Sequence, residues 1–166
     1  MIETLITIAM LVYPQTITVR VTGLQECEPV MRYQTEQVPF KDYVKGVMVN
    51  EFGADWDDDV LKASAIAIKN FAIYQQEHKG YVWDCDWDMV YNPDITRENT
   101  DKAVDDTWNF YITRNGQIMR THFLAWPCTC DIVFGDGNCM GAWGHNGIFQ
   151  QAERGMSWTD ILGAHY

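Results

Sequence analysis

The 166-residue chain carries 23 Asp and Glu against 12 Lys and Arg, for a formal net charge of −11. Phosphate backbones and anionic lipid surfaces repel such a chain, so nucleic acid and charged membrane surfaces are excluded as partners. No run approaches the roughly 20 apolar residues that span a bilayer, and the length predicts one domain, 1–166, able to bury a core.

In chain order, residues 1–13 are apolar but carry Glu3 and lack a basic start, which fits a strand better than an export signal. That strand, 5–12, is expected to pair with a second at 16–23 across Pro14-Gln15, and a third is expected at 28–38. A helix then runs from Pro39, whose missing N–H costs nothing in a first turn, to Glu51. A long Ala-rich helix follows over 58–79, stopped by Gly80. Residues 100–109 predict a short helix opened by Thr100. Residues 110–121 predict a hairpin turning at Asn115-Gly116. Ser157 with Asp160 predicts a capping box for a final helix. The class is α+β, with N-terminal strands, central helices and a β-hairpin.

Glu51 is the candidate catalytic residue. Phe40, Tyr43, Val44, Val47 and Met48 recur at helical spacing, and Glu51 falls about 20° from Phe40 and from Val44 on the wheel. A carboxylate therefore closes an apolar face, beside the turn 53–59. Desolvation there raises a carboxyl pKa and suits it to proton donation near neutral pH. The competing reading is a structural carboxylate that caps or pairs with a neighbouring element.

Three blocks carry a resemblance: Val38-Pro39-Phe40-Lys41-Asp42-Tyr43-Val44-Lys45-Gly46-Val47, then Asn50-Glu51-Phe52, then Leu61-Lys62-Ala63-Ser64-Ala65-Ile66-Ala67. Together they closely resemble the stage II sporulation protein D (SpoIID/LytB) family, which reads V-P-x-E-D-Y-V-x-G-V-x-x-N-E followed by L-K-A-Q-A-V-A-A-R-S. Residues 16–23 resemble its first strand, Asp88-Met89-Val90-Tyr91 stands at its C-Q-V-Y, and Thr100 to Thr107 resembles its T-D-x-A-V-x-x-T. Met140 to Leu162 aligns without gaps to its C-terminal region. The resemblance implies an extracytoplasmic, cell-wall-associated peptidoglycan protein, with the family's catalytic acid at Glu51. Its members include lytic transglycosylases that cut bare glycan strands and amidase enhancers.

On that resemblance, Glu51 protonates the glycosidic oxygen and the sugar's own C6 hydroxyl attacks, a route that needs one acid/base group and no cofactor. No second carboxylate stands out on the same helix face, in contrast to the pair that ordinary glycosidases use. Asn50, Ser64 and Lys69 are expected to contact substrate. Ser64 and Lys69 replace the family's Gln and Arg, and Lys lacks the guanidinium fork. The family's G-H-G is absent, with Asn138-Cys139-Met140 in its place, and His145 falls where the family has Gln. These departures sustain a second expectation: an inactive glycan-binding or structural component, including one carried in a phage-type particle, or a partner that activates an amidase.

Five cysteines leave one thiol over if the rest pair. Cys128, Cys130 and Cys139 crowd one segment and, with His145 or His122, offer four ligands to a structural zinc, as in some members of the resembled family. Disulfides and ordinary buried thiols are the rival readings. Pro127-Cys128-Thr129-Cys130 is one residue short of a zinc-deaminase signature, and no H-x-E precedes it. The seven Trp, eight Tyr and seven Phe are mostly core, with a few available to stack on sugar rings.

Overall fold

The strand Thr16–Val21 (β1) alternates: Ile17 and Val19 are buried, while Thr16, Thr18 and Arg20 point away from the core. It lies at the centre of a three-stranded sheet of order β2-β1-β3 in the computed structural model, which describes residues 14–29, 32–52, 55–124, 139–141 and 147–166. Gln34–Pro39 (β2) pairs with it antiparallel, from Thr16 opposite Pro39 to Val21 opposite Gln34. Val82–Trp83 (β3) pairs parallel on the other edge, Val19 with Val82 and Arg20 with Trp83. The strand expected at 5–12 lies outside the described residues. The third expected strand begins six residues later than the pattern suggested. Cys27, just ahead of that expected strand, is tied to Cys85 by a disulfide and its N–H donates to Asp86, so the chain there is held to the 84–88 segment rather than to β1.

Helix α1 (Phe40–Glu51) starts directly after Pro39 and buries Phe40, Tyr43, Val44, Val47 and Met48. Helix α2 (Asp58–Lys79) is capped by Asp57, which accepts from the Asp59 N–H. It ends at Gly80, whose φ of 80° is the left-handed conformation that lets its N–H reach Gln76 O. Its Ala-rich sequence allows burial on nearly every side. Leu61, Ala65, Ile68 and Ala72 face α1 and the sheet. Val60, Ala63, Ile66 and Ala67 face a second cluster with Ile112, Met140, Ile148 and Ile161.

Helix α3 (Glu98–Asp106) starts two residues earlier and ends three earlier than expected. Thr100 is inside it, its hydroxyl donating to Arg97 O rather than capping the start. The end is set by Lys69, which takes the Thr107 and Trp108 carbonyls at 2.7 Å each. The hairpin of Thr113–Arg114 (β4) and Gln117–Ile118 (β5) turns at Asn115 and Gly116, both at positive φ as its two-residue loop requires. His122–Leu124 (β6) and Cys139–Gly141 (β7) form a parallel pair. Ile148–Glu153 (α4) and Trp158–His165 (α5) complete the described chain, and α5 carries the expected Ser157–Asp160 capping box. No helix among the described residues is long and apolar enough to cross a membrane. The result is the α+β arrangement that the pattern predicted.

Candidate functional site

Glu51 sits in the last turn of α1, half-buried, and its Oε1 accepts the Val90 N–H at 3.0 Å. Burial raises its carboxyl pKa above the ordinary carboxylate value, and the Val90 hydrogen bond opposes part of that rise. It faces an open cleft of about 350 Å³. Phe71 and Gln75 of α2 contribute one side, the 86–90 segment a second, and Arg120, His122 and Phe123 a third. A carboxyl that holds its proton more tightly than an ordinary carboxyl, beside a cleft open to ligand, has the features a general acid needs.

The 84–92 segment is held at nearly every residue. The Asp84 carboxylate accepts from the Thr22 N–H and hydroxyl and from the Gly23 N–H at 2.7–2.9 Å. Cys85 is bonded to Cys27, with Cα atoms 5.5 Å apart across 58 residues of sequence. The Asp88 carboxylate is buried; it accepts from Gln75 at 2.7 Å and from the Trp83 N–H at 2.9 Å, and pairs with Lys79 at 3.3 Å. At the far end the Asn92 N–H reaches Gly46 O. A Cβ on Gly46 would lie 2.5 Å from the Tyr91 ring, so glycine is what lets α1 approach this segment. The donor that touches Glu51 is therefore positioned by a cross-linked, hydrogen-bonded strap.

The other expected site residues lie elsewhere. Asn50 donates to Gly46 O at 2.6 Å within its own helix. Ser64 is fully buried in α2, its hydroxyl without a hydrogen-bond partner among the described residues. Lys69 is 1% exposed, lies 5.2 Å from the Trp108 ring centroid, and binds the carbonyls that end α3. Burial, assisted by the charge of Lys41, lowers its pKa to about 7. None of the three lines the cleft with Glu51. Cys128, Cys130 and His145 lie outside the described residues. The backbone of Cys139 is in register with His122 on the β6–β7 pair. Among the described residues the clustered cysteines are Cys27 and Cys85, close to Asp86, and the disulfide takes both thiols.

Sequence reasoning missed the wall opposite the acid: Lys79, Asp86, Trp87, Asp88, Arg120 and His122. Two of these are carboxylates, so Glu51 is not the lone acid of the cleft, although Asp88 is fully engaged and Asp86 accepts from the Cys27 N–H at 2.7 Å. The available signal was Asp88-Met89-Val90-Tyr91, whose match to a family motif marked the strap without revealing what its side chains face.

Residues 32–113, which contain Glu51, Asp88 and Val90, match the family model described as SpoIID, stage II sporulation protein. An uncharacterized protein of Brachyspira hyodysenteriae is 30% identical over 95 residues, 54% of this chain and 26% of the relative. The chain thus spans about a quarter of the length of that relative.

Proposed function

With residues 32–113 forming a SpoIID domain, we propose that the protein cleaves bare peptidoglycan glycan strands as a lytic transglycosylase, with Glu51 as its acid/base residue. The observation that carries this reading is the Glu51 carboxyl: half-buried, raised in pKa, held by the Val90 N–H, and open to a cleft of about 350 Å³. Glu51 gives its proton to the glycosidic oxygen between N-acetylmuramic acid and N-acetylglucosamine as the C1–O bond breaks. The C6 hydroxyl of the same muramic acid then forms the new C1–O6 bond, and its proton returns to the Glu51 carboxylate. The Val90 N–H stabilises that carboxylate between the two transfers. The Cys27–Cys85 disulfide supports an extracytoplasmic, cell-wall setting, where such bonds persist.

Asp86, in the same cleft, supports hydrolysis as the competing chemistry, since a second carboxylate can activate water. The products separate the two: anhydro-muramoyl ends for transglycosylation, reducing ends for hydrolysis. A non-catalytic glycan-binding or amidase-enhancing role draws support from Ser64 and Lys69, which stand at the family's Gln and Arg and are buried in the core here. Mass spectrometry of purified strands after incubation tests all three, and intact strands at high protein concentration favour the non-catalytic role.

A further inference from the structure

Ile17, Val19 and Val82 pack into the core from one face of the three-stranded sheet. Arg20 and its register partner Trp83 occupy the other face. Around them the chain gathers an array of rings. Tyr33, just ahead of β2, meets Trp83 edge-on with centroids 5.1 Å apart, and Trp83 meets Trp87 at 5.5 Å. The Arg20 guanidinium lies 3.4 Å from the Tyr81 ring centroid and about equally far from Tyr33 and Trp83, at 4.8 and 5.0 Å. Among the described residues no carboxylate pairs with it.

Two observations take this array beyond strand packing. Trp87 and Tyr33 keep 49% and 44% of their surface exposed, two of the four large hydrophobic side chains so placed among the described residues. Trp87 also lines the Glu51 cleft, so the array continues from the cleft onto the sheet. A sugar ring has an apolar C–H face and a rim of hydroxyls. The exposed Tyr33 and Trp87 rings take the first, and the Arg20 guanidinium, held over the Tyr81 ring, offers N–H donors to the second. The net charge of −11 sets this surface against nucleic acid, the other ligand that stacks on rings.

We propose that Tyr33 and Arg20, backed by the buried Trp83 and reached from the cleft through Trp87, form a distal subsite that holds sugars of a glycan strand away from the bond that is cut. The proposal rests on the glycan-cleavage reading of the Glu51 cleft and adds where the rest of the strand lies. Affinity then grows with strand length, because only longer strands reach past Trp87.

The test measures binding of bare glycan fragments of graded length to Glu51→Gln protein, alongside cleavage of the same fragments by protein with Glu51 intact. Tyr33→Ala and Arg20→Lys are placed in both backgrounds, with Ile95→Ala, exposed outside the array, as control. Arg20→Lys keeps the charge and removes the planar fork. The expected result is a roughly tenfold weaker Kd for long strands with each array variant, the scale of one lost stacking or forked contact. KM should rise for long strands with kcat held, tetrasaccharide affinity should stay the same, and Ile95→Ala should have no effect. Strand-length dependence that survives both array variants, with cleavage intact, overturns the subsite and leaves the glycan reading standing. An equal loss for short and long fragments overturns its distal placement. No binding or cleavage of any strand by protein with unaltered circular dichroism overturns both.

Discussion

Replacing Lys69 with Met should remove a pH dependence of stability that the wild-type fold carries. The Lys69 ammonium is 1% exposed and its pKa in the folded protein is about 7, lowered by burial and by Lys41. In the unfolded chain it returns to about 10.4. Below pH 7 the lysine is charged in both states, and the fold bears the full cost of burying that charge. Between pH 7 and about 10 the unfolded chain binds more protons than the folded one, so stability rises with pH. At about 1.4 kcal/mol per unit, wild type should gain about 2.5 kcal/mol between pH 6 and pH 9 relative to Lys69→Met. The neutral amine still has two N–H groups for the Thr107 and Trp108 carbonyls, so α3 stays anchored across the range. Urea unfolding of both proteins at each pH reads the difference. With a slope of roughly 1–3 kcal/mol per molar for a small protein, the gap between midpoints should change by about 0.8–2.5 M. Parallel curves for the two proteins would show that Lys69 keeps an ordinary pKa in the fold and would refute the reasoning.

Replacing Cys27 and Cys85 together with Ser releases a loop of 58 residues and should cost about 4 kcal/mol of stability, seen as a lower denaturant midpoint; glycan cleavage should fall with it, because the strap that positions the Val90 N–H loses its cross-link. Gly46→Ala forces a methyl to within 3 Å of the Tyr91 ring and Asn92 O, which should cost about 1–3 kcal/mol by thermal or urea unfolding and lower activity more than a surface Gly→Ala control. The raised pKa of Glu51 extends its working, protonated form to higher pH than an ordinary Glu allows, so kcat/KM on bare glycan should decline as pH rises through a value above that of an ordinary Glu; a profile that declines only below such a value, with no alkaline limb, would count against Glu51 as the donor.

What was legible in the chain was local. Gly80, Asn115-Gly116 and Ser157 with Asp160 act within a few residues of themselves, so their turn and cap chemistry could be read directly and recurs in the structure. Glu51 was legible because its helix periodicity fixes which face it shares. The wall of the cleft was not, since Trp87 and Asp88 reach it only through the Cys27–Cys85 cross-link, the Asp84 contacts to Thr22 and Gly23, and the closeness that Gly46 allows. Each is a pairing across tens of residues with no local periodicity. Lys69 was expected among the substrate contacts because its helix position was compatible with a cleft shared with Asn50 and Ser64; burial on nearly every side of α2, a tertiary property, instead brings its ammonium to the end of α3.

The central claim is that Glu51 is the acid of a glycan-cleaving site, and incubation of purified bare strands with wild type and Glu51→Gln, read by mass spectrometry, tests it most directly. Wild type should release fragments ending in 1,6-anhydro-muramic acid, and Glu51→Gln, with unchanged circular dichroism, should release none above background. Fragments from Glu51→Gln within a few-fold of the wild-type yield would contradict the claim, as would strands left intact by wild type.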